Sequence, residues 1–391
     1  MKKFKIVFLT GSRADYGKLK SLIALSELEP SFETHIYVSG MHLLESCGLT
    51  YREIVSDNFR NIYIPSDLKI TERMELNLAY TIRSFADYVR QVVPDLIVVH
   101  GDRTDPLAGA LVGIFHNIKI AHIEGGEVSG TVDELLRHAI SKLSHLHFVS
   151  NEESKYRLLQ LGEHADDIHV IGSPDVDIML SDTLPFIQDV KRKYNIAYEK
   201  YAICIYHPVT TDDELKNKVD ELKDALLASG RNYVVIYPNN DHGTQHIKEV
   251  WDMLNSDKRF SFFDSIRFED FLALLKESDF IIGNSSAGVR EACVYGVPSI
   301  DIGSRQHNRY STITLKNIQH VNDCSGDIMK CIENVDNYRK QSFYFGSGES
   351  AQRFVDILKR MNFDEIQIQK GFVELDVTME SIKNYINEVC F

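Results

Sequence analysis

Short apolar and β-branched runs alternate with longer segments of helical periodicity along most of the chain. In the first half, residues 6–10, 34–39, 95–100, 119–123 and 147–150 read as strands, and 16–27, 106–116, 133–144 and 154–161 as helices. Strands that are apolar without alternation are buried on both faces, so this order predicts a parallel sheet covered by helices on either side. A second series follows Pro174, with strand candidates at 201–206, 233–237, 260–263, 280–282 and 299–302 and helical patterns between them. The expectation is an α/β chain of two doubly wound domains. The polar stretch from 174 to 201 then holds the connection and one helix.

The length of 391 residues agrees with two domains. A composition of 43% hydrophobic and 26% charged residues is that of a globular protein and excludes a disordered or collagen-like chain. The net charge of −14 argues against a general nucleic-acid or membrane-surface binder, which needs clustered positive charge. The apolar run 6–10 after Lys2 and Lys3 is too short for a signal-peptide core, and no stretch approaches the ~20 apolar residues of a membrane helix. A soluble, cytoplasmic protein is expected. The six cysteines are scattered without a Cys-x-x-Cys pair, which predicts reduced thiols rather than disulfides or structural zinc.

Ligands of open α/β sheets bind beyond the carboxyl ends of the strands, and the unusual residues fall there. In the first half they are Gly11 to Lys18, His100-Gly101-Asp102-Arg103, and His122-Ile123-Glu124-Gly125-Gly126-Glu127. In the second they are His207-Pro208-Val209-Thr210-Thr211 and Gly283-Asn284-Ser285-Ser286-Ala287-Gly288. Two loaded edges predict one site in a cleft between the domains.

The loop from Gly283 to Glu291 has the strand, small-residue loop and helix start that aim backbone N–H groups and hydroxyls at a phosphate. Glu291 is then placed to accept from ribose hydroxyls; the plain alternative is a capped turn with Glu291 as a surface charge. Arg13 and Lys18 suit a second anion clamp, against a tight turn in which Asp15 opens a helix. Asp102, Glu124 and Asp133 are candidates for acid–base work. Crowded carboxylates repel, so one of the three is expected to have a raised pKa. A local Asp102–Arg103 pair and a helix cap at Asp133 are the alternatives. The many histidines between 100 and 147 include no His-Glu-x-x-His pair, so no catalytic metal is expected. His207, at a strand end before Pro208, is a candidate for proton transfer.

The segments GSRADYGKL, HGDR, HIEGGEVSGTVDELLRHAISKLSHLH, HPVTT, YPNND, GNSSAGVRE and IDIGSRQ resemble, in order and spacing, the hydrolysing UDP-N-acetylglucosamine 2-epimerases. That group includes bacterial enzymes of sialic-acid capsule synthesis and the epimerase half of the animal epimerase–kinase. The resemblance runs from about residue 4 to about 310. Non-hydrolysing relatives carry proline and glutamate after the first-loop arginine and a different glutamate loop, whereas here Arg13 precedes Ala14-Asp15-Tyr16 and Glu124 precedes Gly125-Gly126-Glu127. Both departures favour the hydrolysing branch.

The resemblance implies a GT-B fold: an N-terminal Rossmann-like domain (1–175) with the acid–base residues, a C-terminal nucleotide-binding domain (176–349), and a helical segment (350–391) crossing back onto the first. No kinase domain is expected. It implies catalytic roles for Asp102, Glu124, Asp133 and His207. It implies UDP contacts by Arg13, Ser285, Ser286, Glu291 and Arg305, with Lys18, His42 and Asn239 in adjoining family segments. No cofactor is implied, Mg²⁺ having at most a modest effect, and a homodimer or homotetramer is expected. The implied substrate is UDP-N-acetylglucosamine, the product N-acetylmannosamine for sialic acid synthesis. Alternatives are a UDP-2,4-diacetamido-trideoxy sugar of the legionaminic-acid route, a GT-B glycosyltransferase, and a nucleotide-sugar sensor without turnover.

Overall fold

The computed structural model describes residues 3–66, 69–71, 73–129, 132–208, 215–238, 244–306, 309–310 and 314–374. The first sheet contains β1 (Phe4–Thr10), β2 (Phe32–Val38), β3 (Ile62–Tyr63), β4 (Leu96–His100), β5 (Lys119–Ile123), β6 (Leu146–Val149) and β7 (Ile168–Val170), in the order β3-β2-β1-β4-β5-β6-β7. The second contains β8 (Ala202–Ile205), β9 (Tyr233–Ile236), β10 (Phe260–Phe263), β11 (Ile281–Gly283), β12 (Ser299–Ile302) and β13 (Ile318–Val321), in the order β10-β9-β8-β11-β12-β13. All pairings are parallel. Ile6 to Leu9 and Leu96 to Val99 are buried whichever way they point, as strands covered on both faces must be. Two Rossmann-like sheets face each other here, in the GT-B arrangement.

Strand order reverses between β1 and β4 in the first sheet and between β8 and β11 in the second, and a crevice opens at such switch points. The loops bearing Gly11–Lys18, Asp102, His207 and Ser285–Ser286 therefore flank the two crevices.

Three strands and one long helix went unread in the sequence. β3 and β7 are edge strands of two and three residues, too short for a period. The third is β13, whose Gln319 and His320 interrupt the apolar run. The helix Met74–Val92 buries Thr81, Phe85, Tyr88 and Val89 at helical spacing, though polar residues outnumber them. The connection after Pro174 holds two helices, Asp175–Met179 and Ile187–Lys193, rather than one.

The helix Ser350–Arg360 returns to the first sheet, burying Ala351, Phe354, Val355 and Leu358. Asp177 fixes its start by accepting from the backbone N–H groups of Ser350 (2.9 Å) and Ala351 (2.7 Å). Beyond it, Lys370 donates to the carbonyls of Lys142 (3.0 Å) and Ser144 and to the Glu163 carboxylate (both 2.5 Å). Among the described residues no helix is long and apolar enough to cross a membrane.

Phe354 is fully buried, its ring centroid 4.7 Å from that of Phe148 and 6.1 Å from that of Phe8. Phe354→Ala should cost about 3–5 kcal/mol, the range for emptying an aromatic site in a core. Urea unfolding measures this; a loss below about 1 kcal/mol would show that the returning helix is not part of the first domain's core.

Candidate functional site

Glu124 follows β5 directly and takes a left-handed backbone (φ 60°), uncommon for a residue with a side chain. Its N–H donates to the Phe148 carbonyl at 2.9 Å, which anchors the turn. Gly126 must be glycine: its φ is 75°, and a Cβ there would lie 2.2 Å from the Ser154 carbonyl oxygen. This tight turn turns both Glu124 and Glu127 toward the second domain.

There they meet Arg290. One guanidinium nitrogen donates to Glu124 Oε1 (2.6 Å) and Ser173 Oγ (2.8 Å), the other to both oxygens of Glu127 (2.9 and 2.7 Å). Its carbon lies 4.7 Å from the Phe345 ring centre. Ser173 also donates to Glu124 Oε1. Lys18 approaches Glu124 Oε1 (3.4 Å), donates to Ser173 Oγ (3.1 Å) and pairs with Asp175. The other oxygen, Oε2, faces His100 Nε2 at 3.1 Å, and the opposite ring nitrogen of His100 lies 2.8 Å from Asp15.

The expected mutual repulsion of carboxylates is not what governs Glu124. Burial pushes its carboxyl up, but the charges of Arg290 and then Lys18, with His100 adding to them, hold it well below the usual range. Burial likewise opposes charge on His100, but its bonds to Asp15 and Glu124 prevail and raise it to about 9, so the ring is a cation at neutral pH. A carboxyl beside these cations that does rise is that of Glu291, to about 7, through burial and then the charge of Asp175. Its Oε2 is buried without a hydrogen-bond partner.

Asp102 pairs with Arg137 rather than Arg103. Arg137 also donates to the Glu127 carbonyl (3.0 Å) and Ser129 Oγ (3.3 Å). Burial, then repulsion from Arg309 and Arg290, brings its pKa down to about 9. Asp133 occupies the first turn of the same helix, Val132–Leu143, and its charge helps to hold Arg309 protonated.

In the second domain a Cβ on Gly283 (φ 135°) would lie 1.9 Å from the Ile205 carbonyl oxygen, so only glycine lets β11 approach β8 this closely. Asn284 then clasps the neighbouring loop: its side chain accepts from His207 N–H (2.7 Å) and donates to the His207 carbonyl (2.8 Å). Its own carbonyl accepts from Arg305 (3.0 Å) and Gln306 (2.8 Å). The buried His207 ring is pushed down to about 3 by burial and by Arg305, and so is neutral; its Nδ1 is buried without a partner. Ser285 caps the turn Ser286–Gly288, accepting from Ala287 N–H at 3.3 Å.

A cleft of about 700 Å³ between the domains is lined by Ser286, Arg290 and Arg309 from one side and by Glu127, Arg137 and Arg157 from the other. Asp102 and Glu124 stand directly behind Arg137 and Arg290. The structure thus brings Asp102, Glu124 and Lys18 together with Ser286 and Glu291, and Asn284 joins His207 to Arg305. Arg13 is elsewhere, 3.9 Å from Glu53 and lining a separate cavity of about 650 Å³ with Tyr16, Arg267 and Phe268. His42 is fully buried between Thr10 (3.1 Å) and Thr50 (2.8 Å), both ring nitrogens engaged, and so does not reach the cleft. Asn239 lies outside the described residues. Among the described residues no group of three or more His, Cys, Asp or Glu is arranged to hold a metal ion.

Residues 25–359 match the family described as UDP-N-acetylglucosamine 2-epimerase. The chain belongs to that family. It is 43% identical over 379 residues to the UDP-N-acetylglucosamine 2-epimerase of Neisseria meningitidis serogroup B, covering 95% of this chain and 100% of that protein. It is 32% identical to the UDP-N,N'-diacetylbacillosamine 2-epimerase (hydrolyzing) of Legionella pneumophila, covering 91% of this chain and 95% of that one. Among solved structures, that of UDP-GlcNAc 2-epimerase from Neisseria meningitidis bound to UDP-GlcNAc superposes with a TM-score of 0.79 at 18% identity, covering 92% of this chain and 100% of that one, which supports the two-domain fold.

The geometry adds residues to which the sequence analysis gave no role of their own: Arg137, Ser173, Asp175, Asn284, Arg290 and Arg309. Arg290 stood in the quoted segment GNSSAGVRE, but nothing local marks an arginine whose partners are 163 and 166 positions away.

The raised carboxyl of Glu291 gives a pH test. An unfolded glutamate titrates near 4.3, so the folded state holds this proton more tightly, and the stability so gained is lost as pH rises through about 7. Glu291→Gln cannot ionise, so its melting temperature relative to the wild type should climb between pH 5.5 and 8.5. A difference constant across that range contradicts the assignment.

Proposed function

We propose that the chain is a hydrolysing epimerase that converts UDP-N-acetylglucosamine and water into N-acetylmannosamine and UDP. One observation supports it above the rest. Asp102 and Glu124, at the ends of paired strands β4 and β5, stand behind arginines that line one cleft with Ser286. Each of these two carboxylates is thus in direct contact with a cation that lines the cleft.

The C2 hydrogen of the sugar is not acidic in the ground state. As the C1–oxygen bond breaks and UDP leaves with its electron pair, C1 gains oxocarbenium character. One carboxylate then takes C2–H as a proton, and the C–H pair becomes the C1=C2 bond of 2-acetamidoglucal. Water adds its oxygen to C1 and gives up a proton, while another acid protonates C2 from the opposite face, which inverts that centre. We assign Asp102, Glu124 and Asp133 to these transfers, with neutral His207 a further acceptor. Ser285, Ser286, Arg305 and the cleft arginines would carry the charge on the diphosphate, and Glu291 would accept from the ribose. That charge has protein cations to meet it, so we propose turnover without a metal cofactor.

The diacetamido sugar named for the Legionella relative is a second reading of substrate. The higher identity to the Neisseria protein, 43% against 32%, supports the N-acetylglucosamine assignment.

Proton NMR of the reaction in D₂O tests both. With UDP-N-acetylglucosamine the wild type should yield free N-acetylmannosamine deuterated at C2, and EDTA should leave most of the activity. Asp102→Asn, Glu124→Gln and Asp133→Asn should each lose roughly 10²-fold or more in turnover, and at least one should release 2-acetamidoglucal. UDP-N-acetylmannosamine as product, retention of the C2 hydrogen, or turnover only with the diacetamido sugar would overturn the corresponding part of the proposal.

A further inference from the structure

In the reaction as written Arg290 is one of the cleft arginines that meet the diphosphate, yet in the empty cleft its guanidinium is spent on joining the two halves of the site. It belongs to the second domain, one residue before Glu291 and four after Ser286, while its guanidinium lies among Glu124, Glu127 and Ser173 of the first. It also lines the cleft that Ser286 and Arg309 line. Four of its contacts use the two terminal nitrogens, and Nε is buried without a partner.

A carboxylate held this way is a poor proton acceptor. Facing Glu124 are Arg290, Lys18 from the helix Arg13–Leu28, His100 from the end of β4, and Ser173 with Asp175 at the entry to the helix Asp175–Met179; Glu127 and Glu291 flank the cations. A diphosphate entering beside Ser286 brings more negative charge, and oxygens that match a guanidinium fork, than Glu127 offers.

We propose that Arg290 is a positioning residue that holds Glu124 in an unreactive ion pair while the cleft is empty and transfers to the diphosphate when the nucleotide sugar binds, freeing Glu124 for proton transfer. Substrate binding and base activation thereby become one event. This inference rests on the acid–base reading of Glu124.

The test is the pH dependence of kcat/KM, which reports groups of the free enzyme, and of kcat, which reports the loaded one. Arg290→Met should move the acid limb of kcat/KM up by about one pH unit or more, the scale of a lost neighbouring charge, while the acid limb of kcat moves little. KM should rise at least tenfold as the diphosphate loses its partner. Arg290→Lys keeps the charge and should leave the limb near the wild-type position; it also serves as the folded comparison should the methionine variant prove unstable, its limb being set against that of an Arg290→Gln variant. Glu124→Gln is run alongside. Near wild-type turnover in Glu124→Gln defeats the reading of Glu124 and the inference with it. A dead Glu124→Gln together with an unmoved acid limb in the uncharged Arg290 variants defeats the inference alone.

Discussion

The structure turns on a buried guanidinium shared between two domains. Arg290 reaches from the second domain into a group of first-domain carboxylates, and burial, which opposes its charge, is outweighed by Glu124, Glu127 and Asp175. Removing charges from water costs several kcal/mol per ion, and deleting one partner of such a pair typically costs 3–5 kcal/mol because the other is stranded. Charge and countercharge here sit on different domains. The relative placement of the two sheets is therefore fixed by the same contacts that set the state of the site.

The surrounding backbone serves that arrangement. The left-handed Glu124 and the obligatory glycine at 126 turn a strand end back across the cleft, and Gly283 lets β8 and β11 come close enough for Asn284 to bind both loops. Ser173 links Lys18, Glu124 and Arg290 at the point where the chain leaves the first domain. Two positions later Asp175 pairs with Lys18, and Asp177 caps the helix that returns to the first sheet. The passage between domains is thus part of the site rather than a spacer.

Much of this was legible in the sequence. Central strands such as β1, β4 and β5 announce themselves as largely apolar runs, and the chemistry-bearing residues follow them directly, so Asp102, Glu124, Ser286 and Glu291 could be placed by counting from strand ends. Edge strands β3 and β7 were too short for any periodicity to register. Arg13 shares the segment GSRADYGKL with Lys18, yet packing turned it toward a different cavity and took His42 into the interior. Arg290 and Arg137 escaped notice because their roles depend on partners distant in sequence. Charge state was the least legible feature: three carboxylates in a row of loops suggest repulsion, and only the fold shows that lysine, arginine and histidine surround Glu124.

A crystal structure of the wild-type protein with UDP bound measures the central claim most directly. The account predicts the Arg290 guanidinium on diphosphate oxygens beside Ser286, with Glu124 left to Lys18 and His100 and its distance to Arg290 lengthened beyond hydrogen bonding. Arg290 still seated on Glu124 and Glu127, with the diphosphate held by other groups, would contradict it.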